Sequence, residues 1–205
     1  MVKAKVNKEE TNLEYNLSEF QYEKKSGIYL SKKSNTIYYS DGARIENYIL
    51  NAVKNSKNIS DDSDELMRLI KDWPSYYHLG IGRSNILKAL NLLPNAKVLE
   101  LGSGCGALTR YLGENFKSVD GIEGSPQRAQ IAHERCRDLK NVKIFCSDFN
   151  RVKFNNNYDI VTLIGVLEYA PKYCLNQLES IDACLMLLRQ AKTALKKNGI
   201  LLIAI

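Results

Sequence analysis

The spacing of apolar residues changes character near residue 97. From there on, short apolar runs alternate with segments whose apolar positions recur every three or four residues. "KVLEL" (97–101) predicts a strand, Leu108, Tyr111, Leu112 and Phe116 share one helix face, and "KSVDGIE" (117–123) predicts a second strand. Ser125 is then a natural N-cap with Pro126 at the first helical position, and Ala129, Ala132, Cys136 and Leu139 continue at helical spacing. "VKIFC" (142–146) and "YDIVTLIGV" (158–166) read as third and fourth strands, followed by a long helix from about Leu175 to Lys197 with Gly199 as its C-cap. "ILLIAI" (200–205) is the fifth strand. Several of these strands are apolar throughout, which predicts an α/β fold with a parallel sheet covered on both faces, Rossmann-like and doubly wound.

Upstream the pattern is less regular. The first 25 or so residues are polar, charged and without clear period, a flexible or loosely packed lead-in. "GIYLSKKSNTIYYSDG" (27–42) gives two short aromatic and β-branched runs around a polar turn and predicts a hairpin. Ile45, Tyr48, Ile49 and Val53 predict a helix, and Leu66, Leu69, Ile70 and Trp73 predict one face of another with an acid-rich first turn. Residues 1–80 therefore read as a small α+β extension and residues 81–205 as the Rossmann-like domain, with the seam between Pro74 and Gly82.

Composition narrows the classes. The chain has 205 residues, 44% hydrophobic and 25% charged, the profile of a globular protein. Its net charge of +6 invites a nucleic-acid partner, yet the excess is thin in both parts: 14 Lys+Arg against 12 Asp+Glu over residues 1–95, and 15 against 11 beyond. No basic stripe forms, so nucleic acid is not the expected partner. "ILLIAI" is about a third of the length of a membrane span, and the start lacks the apolar stretch of a signal peptide, so a cytoplasmic chain is expected. Five cysteines, none spaced C-x-x-C, fit reduced core thiols and predict no metal site.

"LELGSGCGALT" (99–109) carries the candidate chemistry. Gly102, Gly104 and Gly106 between a strand and a helix allow close backbone approach to a ligand at a helix N-terminus. Glu123, 21 residues beyond Gly102 at the end of the second strand, can accept hydrogen bonds from both hydroxyls of a ribose. "GSGCGA" also satisfies the dinucleotide fingerprint. Glu100, however, would repel a pyrophosphate and could pair with an ammonium, and Asp148 in "CSDFN" could accept from an adenine amino group. Ribose, adenine and a cationic amino-acid tail together describe S-adenosylmethionine.

Over residues 75–205 the sequence resembles class I S-adenosylmethionine-dependent methyltransferases. "LELGSGCGALT" looks like their motif I, "GIEGS" like the acidic end of strand two, "CSDF" like the adenine motif, and "YDIVTLIGVLEYAP" like the strand-four motif. That resemblance implies cofactor contacts at Glu100, Gly102, Gly104, Glu123, Asp148 and Phe149, with Gly106 and Gly165 as backbone positions near the methionine moiety. "DWPSYYHLGIGRSNILKALNL" (72–92) resembles a lead-in of methyltransferase domains from bacterial surface-polysaccharide (O-antigen) biosynthesis proteins, which implies glycosyltransferase domains as fused or associated partners. The family sheet has seven strands and this sequence reaches five, so a fragment of a longer protein is expected.

The strand-four motif "LIGVLEYAP" is not the Asn/Asp-Pro-Pro-aromatic motif of nucleic-acid amino methyltransferases, which favours a hydroxyl of a sugar, polysaccharide or small metabolite as acceptor. Its deprotonation needs a base. His78, before the glycine turn, and Glu168 and Tyr169, after strand four, are the candidates, whereas His133 reads as a surface residue. Arg83 pairs either with the cofactor carboxylate or with solvent, and the tyrosine pairs 38–39 and 76–77 either stack on a sugar or pack. Two other classes stay open: an NAD(P)-binding oxidoreductase or epimerase, and a non-catalytic scaffold with a methyltransferase fold.

Overall fold

The computed structural model describes residues 15–31, 40–173 and 180–205. The strands are β1 (Tyr15–Asn16), β2 (Gln21–Glu23), β3 (Ile28–Leu30), β4 (Lys97–Leu101), β5 (Ser118–Glu123), β6 (Val142–Cys146), β7 (Val152–Lys153), β8 (Tyr158–Ile164) and β9 (Leu195–Ala204). The α-helices are α1 (Ala43–Asn55), α2 (Asp64–Met67), α3 (Trp73–Leu79), α4 (Asn85–Lys88), α5 (Ala107–Asn115), α6 (Pro126–Arg135), α7 (Ala170–Tyr173) and α8 (Ser180–Ala194). Among the described residues one sheet has seven strands in the order β2-β3-β6-β5-β4-β8-β9, and only the β2–β3 pairing is antiparallel. The five strands expected from the sequence are present and parallel.

The order carries the functional geometry. From β4 the chain winds outward through β5 to β6, then crosses to the other side of β4 to lay down β8 and β9. That reversal makes the carboxyl ends of β4 and β8 the crevice where such sheets take ligands. β4 can lie at the centre because Val98, Leu99 and Leu101 are fully buried and so cover both faces. On one face Leu99, Leu101, Val161 and Leu163 pack with Ala183, Leu187 and Ala191 of α8. On the other, Val98, Val119 and Ile160 pack with Leu108 and Leu112 of α5 and Leu87 of α4.

The segment before residue 81 is joined to this unit. β3 pairs in parallel with β6 through Tyr29 and Phe145, and α1 packs on α6. Arg137 donates to the carbonyls of Val53 (2.9 Å) and Ser56 (2.8 Å), and Arg135 to that of Ser60 (3.1 Å), so the C-terminal end of α1 and the loop after it are tied down by backbone-directed arginines. Of the expected hairpin, β3 lies within the first run; the turn and most of the second run fall outside the described residues, as do Tyr38 and Tyr39.

Four local expectations are corrected. From Tyr15 on, the expected loose lead-in is folded: β2 joins the sheet, and Phe20 packs in the core against Phe145. The helix expected across Leu66–Trp73 ends at Met67, because Asp72 and Ser75 form a capping box that starts α3 afresh, with Pro74 at its second position. Trp73 is consequently 72% exposed instead of sharing a buried face with Leu66. In its described part the last helix stops at Ala194, not Lys197, because the backbone N–H groups of Asn156 and Asn157 bond to the carbonyls of Thr193 and Ala194. Leu195 then pairs with Tyr158, and the register jumps so that Ile160 faces Ile200; Asn198, at φ 68°, occupies the bulge and Gly199 is no C-cap. His133 is half-buried against Gly27, where a Cβ would fall 2.0 Å from its Nε2, and burial holds its pKa below the ordinary histidine value.

Gly106 begins α5 in the left-handed region (φ 84°), and a Cβ there would lie 2.7 Å from Cα of Ala132 in α6. The left-handed penalty of about 1–2 kcal/mol and a steric cost of about 1–3 kcal/mol add. Gly106→Ala is therefore expected to lose about 2–5 kcal/mol of stability in urea unfolding.

Candidate active site

The turn after β4 opens onto a cavity of about 630 Å³ at the carboxyl ends of the parallel strands. Two buried carboxylates stand at adjacent strand ends, Glu100 on β4 and Glu123 on β5. Glu123 is oriented by backbone donors: Gly104 N–H reaches Oε2 at 2.7 Å and Ser125 N–H reaches Oε1 at 2.9 Å. Burial raises its pKa, and the N–H of Ser125 and the guanidinium of Arg128 oppose that rise. Glu100 accepts from Thr109 Oγ1 at 2.6 Å. Burial pushes its carboxyl up to about 7; the Thr109 bond and the Arg83 charge pull down, and Glu123 adds to the rise.

The glycines shape the wall in different ways. Gly102 has φ 82°, and a Cβ there would meet Val166 at 2.5 Å, so the turn and the loop after β8 can touch only with glycine present. At Gly104 a Cβ would meet nothing within 4 Å: its open side leaves room for a ligand. Ser103 lines the same wall, and its buried Oγ has no hydrogen-bond partner among the described residues. A buried hydroxyl without a partner is an unmet demand that a bound polar group would satisfy.

Most of the residues singled out in the sequence converge here. Glu100, Gly102, Gly104, Glu123, Phe149 and Gly165 line the cavity, and so do Arg83, His78, Glu168 and Tyr169. Gly106 is set back against α6. Asp148 is buried just behind the wall, where its Oδ1 accepts from the backbone and side-chain nitrogens of Asn150, both at 2.9 Å; Phe149 and Asn150 are what face the cavity from this turn. Among the described residues no group of three or more His, Cys, Asp or Glu is arranged to hold a metal.

Several lining residues gave no sequence signal. Neither Arg128, on α6, nor Asp41, just before α1, was singled out in the sequence, yet both line the cavity. Asp41 Oδ2 lies 2.9 Å from His78 Nε2, and that bond is the leading cause holding the Asp41 carboxyl below its ordinary pKa. Tyr77 is the member of the 76–77 pair that turns inward; its hydroxyl accepts from Arg83 Nη2 at 2.9 Å. Burial raises its pKa, so it is a neutral phenol with its own proton free to donate. Tyr76 stays exposed and packs on Trp73, ring centroids 5.8 Å apart.

Residues 82–205 match the family model described as a methyltransferase domain. The chain belongs to this methyltransferase-domain family. The domain is 33% identical over 85 residues to the cyclopropane-fatty-acyl-phospholipid synthase of Escherichia coli (strain K12), covering 41% of this chain and 22% of that protein. It is 30% identical over 110 residues to (S)-coclaurine N-methyltransferase of Thalictrum flavum subsp. glaucum, covering 52% and 27% respectively. The matches thus span about a quarter of these relatives' length. Among solved structures, phosphoethanolamine N-methyltransferase 1 of Haemonchus contortus, in complex with phosphoethanolamine and S-adenosylhomocysteine, superposes with a TM-score of 0.52 at 17% identity, covering 80% of this chain and 34% of that one. The N-methyltransferase NodS of Bradyrhizobium japonicum WM9 superposes at 0.50 and 18% identity, covering 58% and 64%. At these identities the structures show a shared fold.

The methyltransferase domain carries a stability cost at Glu100 that depends on pH. An unfolded glutamate releases its proton near 4.5 and Glu100 near 7, so the folded state holds the extra proton between these values. The stability this provides is complete below pH 4.5 and lost as pH rises through 7. The loss amounts to about 3 kcal/mol, because each tenfold difference in proton affinity between the folded and unfolded chains is worth about 1.4 kcal/mol. Glu100→Gln keeps an acceptor for Thr109 and removes the charge. Urea unfolding at pH 5 and pH 8 is expected to show the variant gaining about 2–3 kcal/mol relative to wild type at the higher pH.

Proposed function

We propose that this methyltransferase domain moves a methyl group from S-adenosylmethionine to a hydroxyl of a sugar or other small metabolite. The observation that carries the reading is the pair of buried carboxylates, Glu100 and Glu123, flanking the open side of Gly104 in one cavity. A ligand with a ribose diol and an ammonium meets both demands. The unpartnered Ser103 hydroxyl and the guanidinium of Arg83 fit the rest of an amino-acid end, and Phe149 offers a ring beside the base. When bound, S-adenosylmethionine supplies an activated methyl on a sulfonium, so no covalent enzyme intermediate is required.

The chain's own residues then have three tasks. Glu123 holds the ribose and Glu100, with Arg83, the amino-acid end. Tyr77, Glu168 and Tyr169, around Gly165, orient the acceptor, the phenol of Tyr77 donating to a lone pair. His78 takes the acceptor proton on the ring nitrogen away from Asp41, while the Asp41 carboxylate fixes the ring and stabilises the imidazolium. The cavity volume falls within the about 300–1,000 Å³ of small-molecule pockets, which supports a small acceptor over a macromolecular groove. The lead-in over 72–92 supports a surface-polysaccharide acceptor with glycosyltransferase domains as partners, and the start of the family match at residue 82 supports the division at residue 80. Free thiols at Cys105, Cys136, Cys146 and Cys184 support a cytoplasmic location. Among the described residues no helix is long and apolar enough to cross a membrane.

Thermal unfolding with S-adenosylhomocysteine, S-adenosylmethionine, NAD and NADP in parallel tests the cofactor. The two sulfur nucleosides are expected to stabilise by about 2.7 kcal/mol at about 100 times their dissociation constants, and the dinucleotides not at all. Stabilisation by NAD alone sinks the reading. Because an ammonium beside Glu100 favours the carboxylate, S-adenosylhomocysteine affinity is expected to rise with pH through about 7 in calorimetry, and this dependence to vanish in Glu100→Gln. With sugar acceptors, His78→Ala is expected to lower turnover by about 10²–10⁴-fold.

A further inference from the structure

Arg128 gathers charge from three elements at the edge of the cavity. Its guanidinium, 5% exposed, donates from Nε to Glu46 Oε1 at 3.0 Å and from Nη2 to Asp41 Oδ2 at 2.6 Å. That same Asp41 oxygen meets His78 Nε2 at 2.9 Å. Asp41 lies just before α1 and Glu46 in its first turn, His78 belongs to α3 and Arg128 to α6, and Glu46 is 1% exposed. The acidic partners and His78 all precede residue 82, where the match to the family begins. Arg128, Asp41 and His78 line the cavity, and the Arg128 charge reaches Glu123.

Buried charges of this kind are tolerated only as a complete set, since removing one partner leaves another desolvated and unpaired. The start of α1 is therefore either docked with the network closed or displaced with charges exposed. The other end of α1 is held differently, by the bonds from Arg137 to the carbonyls of Val53 and Ser56, which touch neither the cavity nor its charges. Docking at the first turns of α1 can thus respond to what occupies the cavity while its last turn stays in place.

We propose that Arg128 is the positioning residue of a latch that holds the start of α1 over the Glu123 end of the cavity, so that latch closure and cofactor binding favour one another. The proposal rests on the methyltransferase reading. Coupling of this sort is reciprocal, and typical couplings change affinity about 5- to 150-fold.

The test combines calorimetry with S-adenosylhomocysteine and amide hydrogen exchange on the full chain. In wild type, the ligand is expected to slow exchange over residues 41–50 and to leave 51–57 unchanged. Asp41→Asn, at a side chain that is 29% exposed, is expected to weaken binding about 5- to 10-fold and abolish that slowing. Arg128→Met does the same more severely, Arg128→Lys recovers part of both, and the double variant Asp41→Asn/Arg128→Met loses no more than Arg128→Met alone. If Arg128→Met fails to fold, Asp41→Asn decides. Unchanged affinity and exchange in Asp41→Asn overturns the latch, as does lost affinity in Arg128→Met with the ligand still slowing exchange over 41–50. Wild type that binds the nucleoside without slowing overturns the latch alone; wild type that binds no S-adenosylhomocysteine overturns both the latch and the cofactor reading.

Discussion

The turn between β4 and α5 has to reverse the chain while keeping its backbone in contact with two neighbours, and the rest of the site follows from that constraint. At Gly102 the loop after β8 comes within reach of the turn, and at Gly106 α6 packs directly on the backbone. A side chain at either place would push those elements away. Close packing here brings the ends of β4, β5 and β8 together, and Glu100 and Glu123 come to share one small volume because they end neighbouring strands.

Two carboxylates so placed are an electrostatic problem that the fold only partly solves. Glu123 is met by the N–H groups of Gly104 and Ser125, Glu100 by one hydroxyl from Thr109. Burial raises the pKa of both, and pushes that of Glu100 up to about 7. Together with the unpartnered Ser103 hydroxyl, this leaves the cavity asking for a ligand that brings positive charge and hydrogen-bond donors at defined points. A site arranged in advance needs little reorganisation on binding, which is the usual route to orienting two reactants for group transfer.

The segment before residue 81 has a larger part than its irregular pattern suggested. It extends the sheet through β3, and it supplies Asp41, Trp73, Tyr77 and His78 to the wall of the cavity. His78 was recognisable as a candidate because the chain has only two histidines. Asp41, its partner, was not: a lone carboxylate in a turn has no periodicity, and its role exists only because α3 and α6 both arrive beside it. Arg128 was hidden for a related reason, since an arginine on a helix reads as solvated unless a second element covers it.

What the sequence determined by itself was everything set by local spacing: the five parallel strands, from runs apolar on both faces; α5 and α6, from their apolar stripes and the Ser125-Pro126 start; and the glycine turn with its acid 21 residues on. Where local signals competed, spacing misled. Trp73 continued an apolar stripe, but Asp72 and Ser75 capped a new helix; Lys196 and Lys197 extended a helical run, but Asn156 and Asn157 closed it at Ala194. Only the tertiary structure decided which charges would be buried together, whether Asp148 or its neighbours would face the cavity, and which of two adjacent tyrosines would turn inward. Those outcomes depend on contacts between residues far apart in the chain, for which hydrophobic periodicity carries no information.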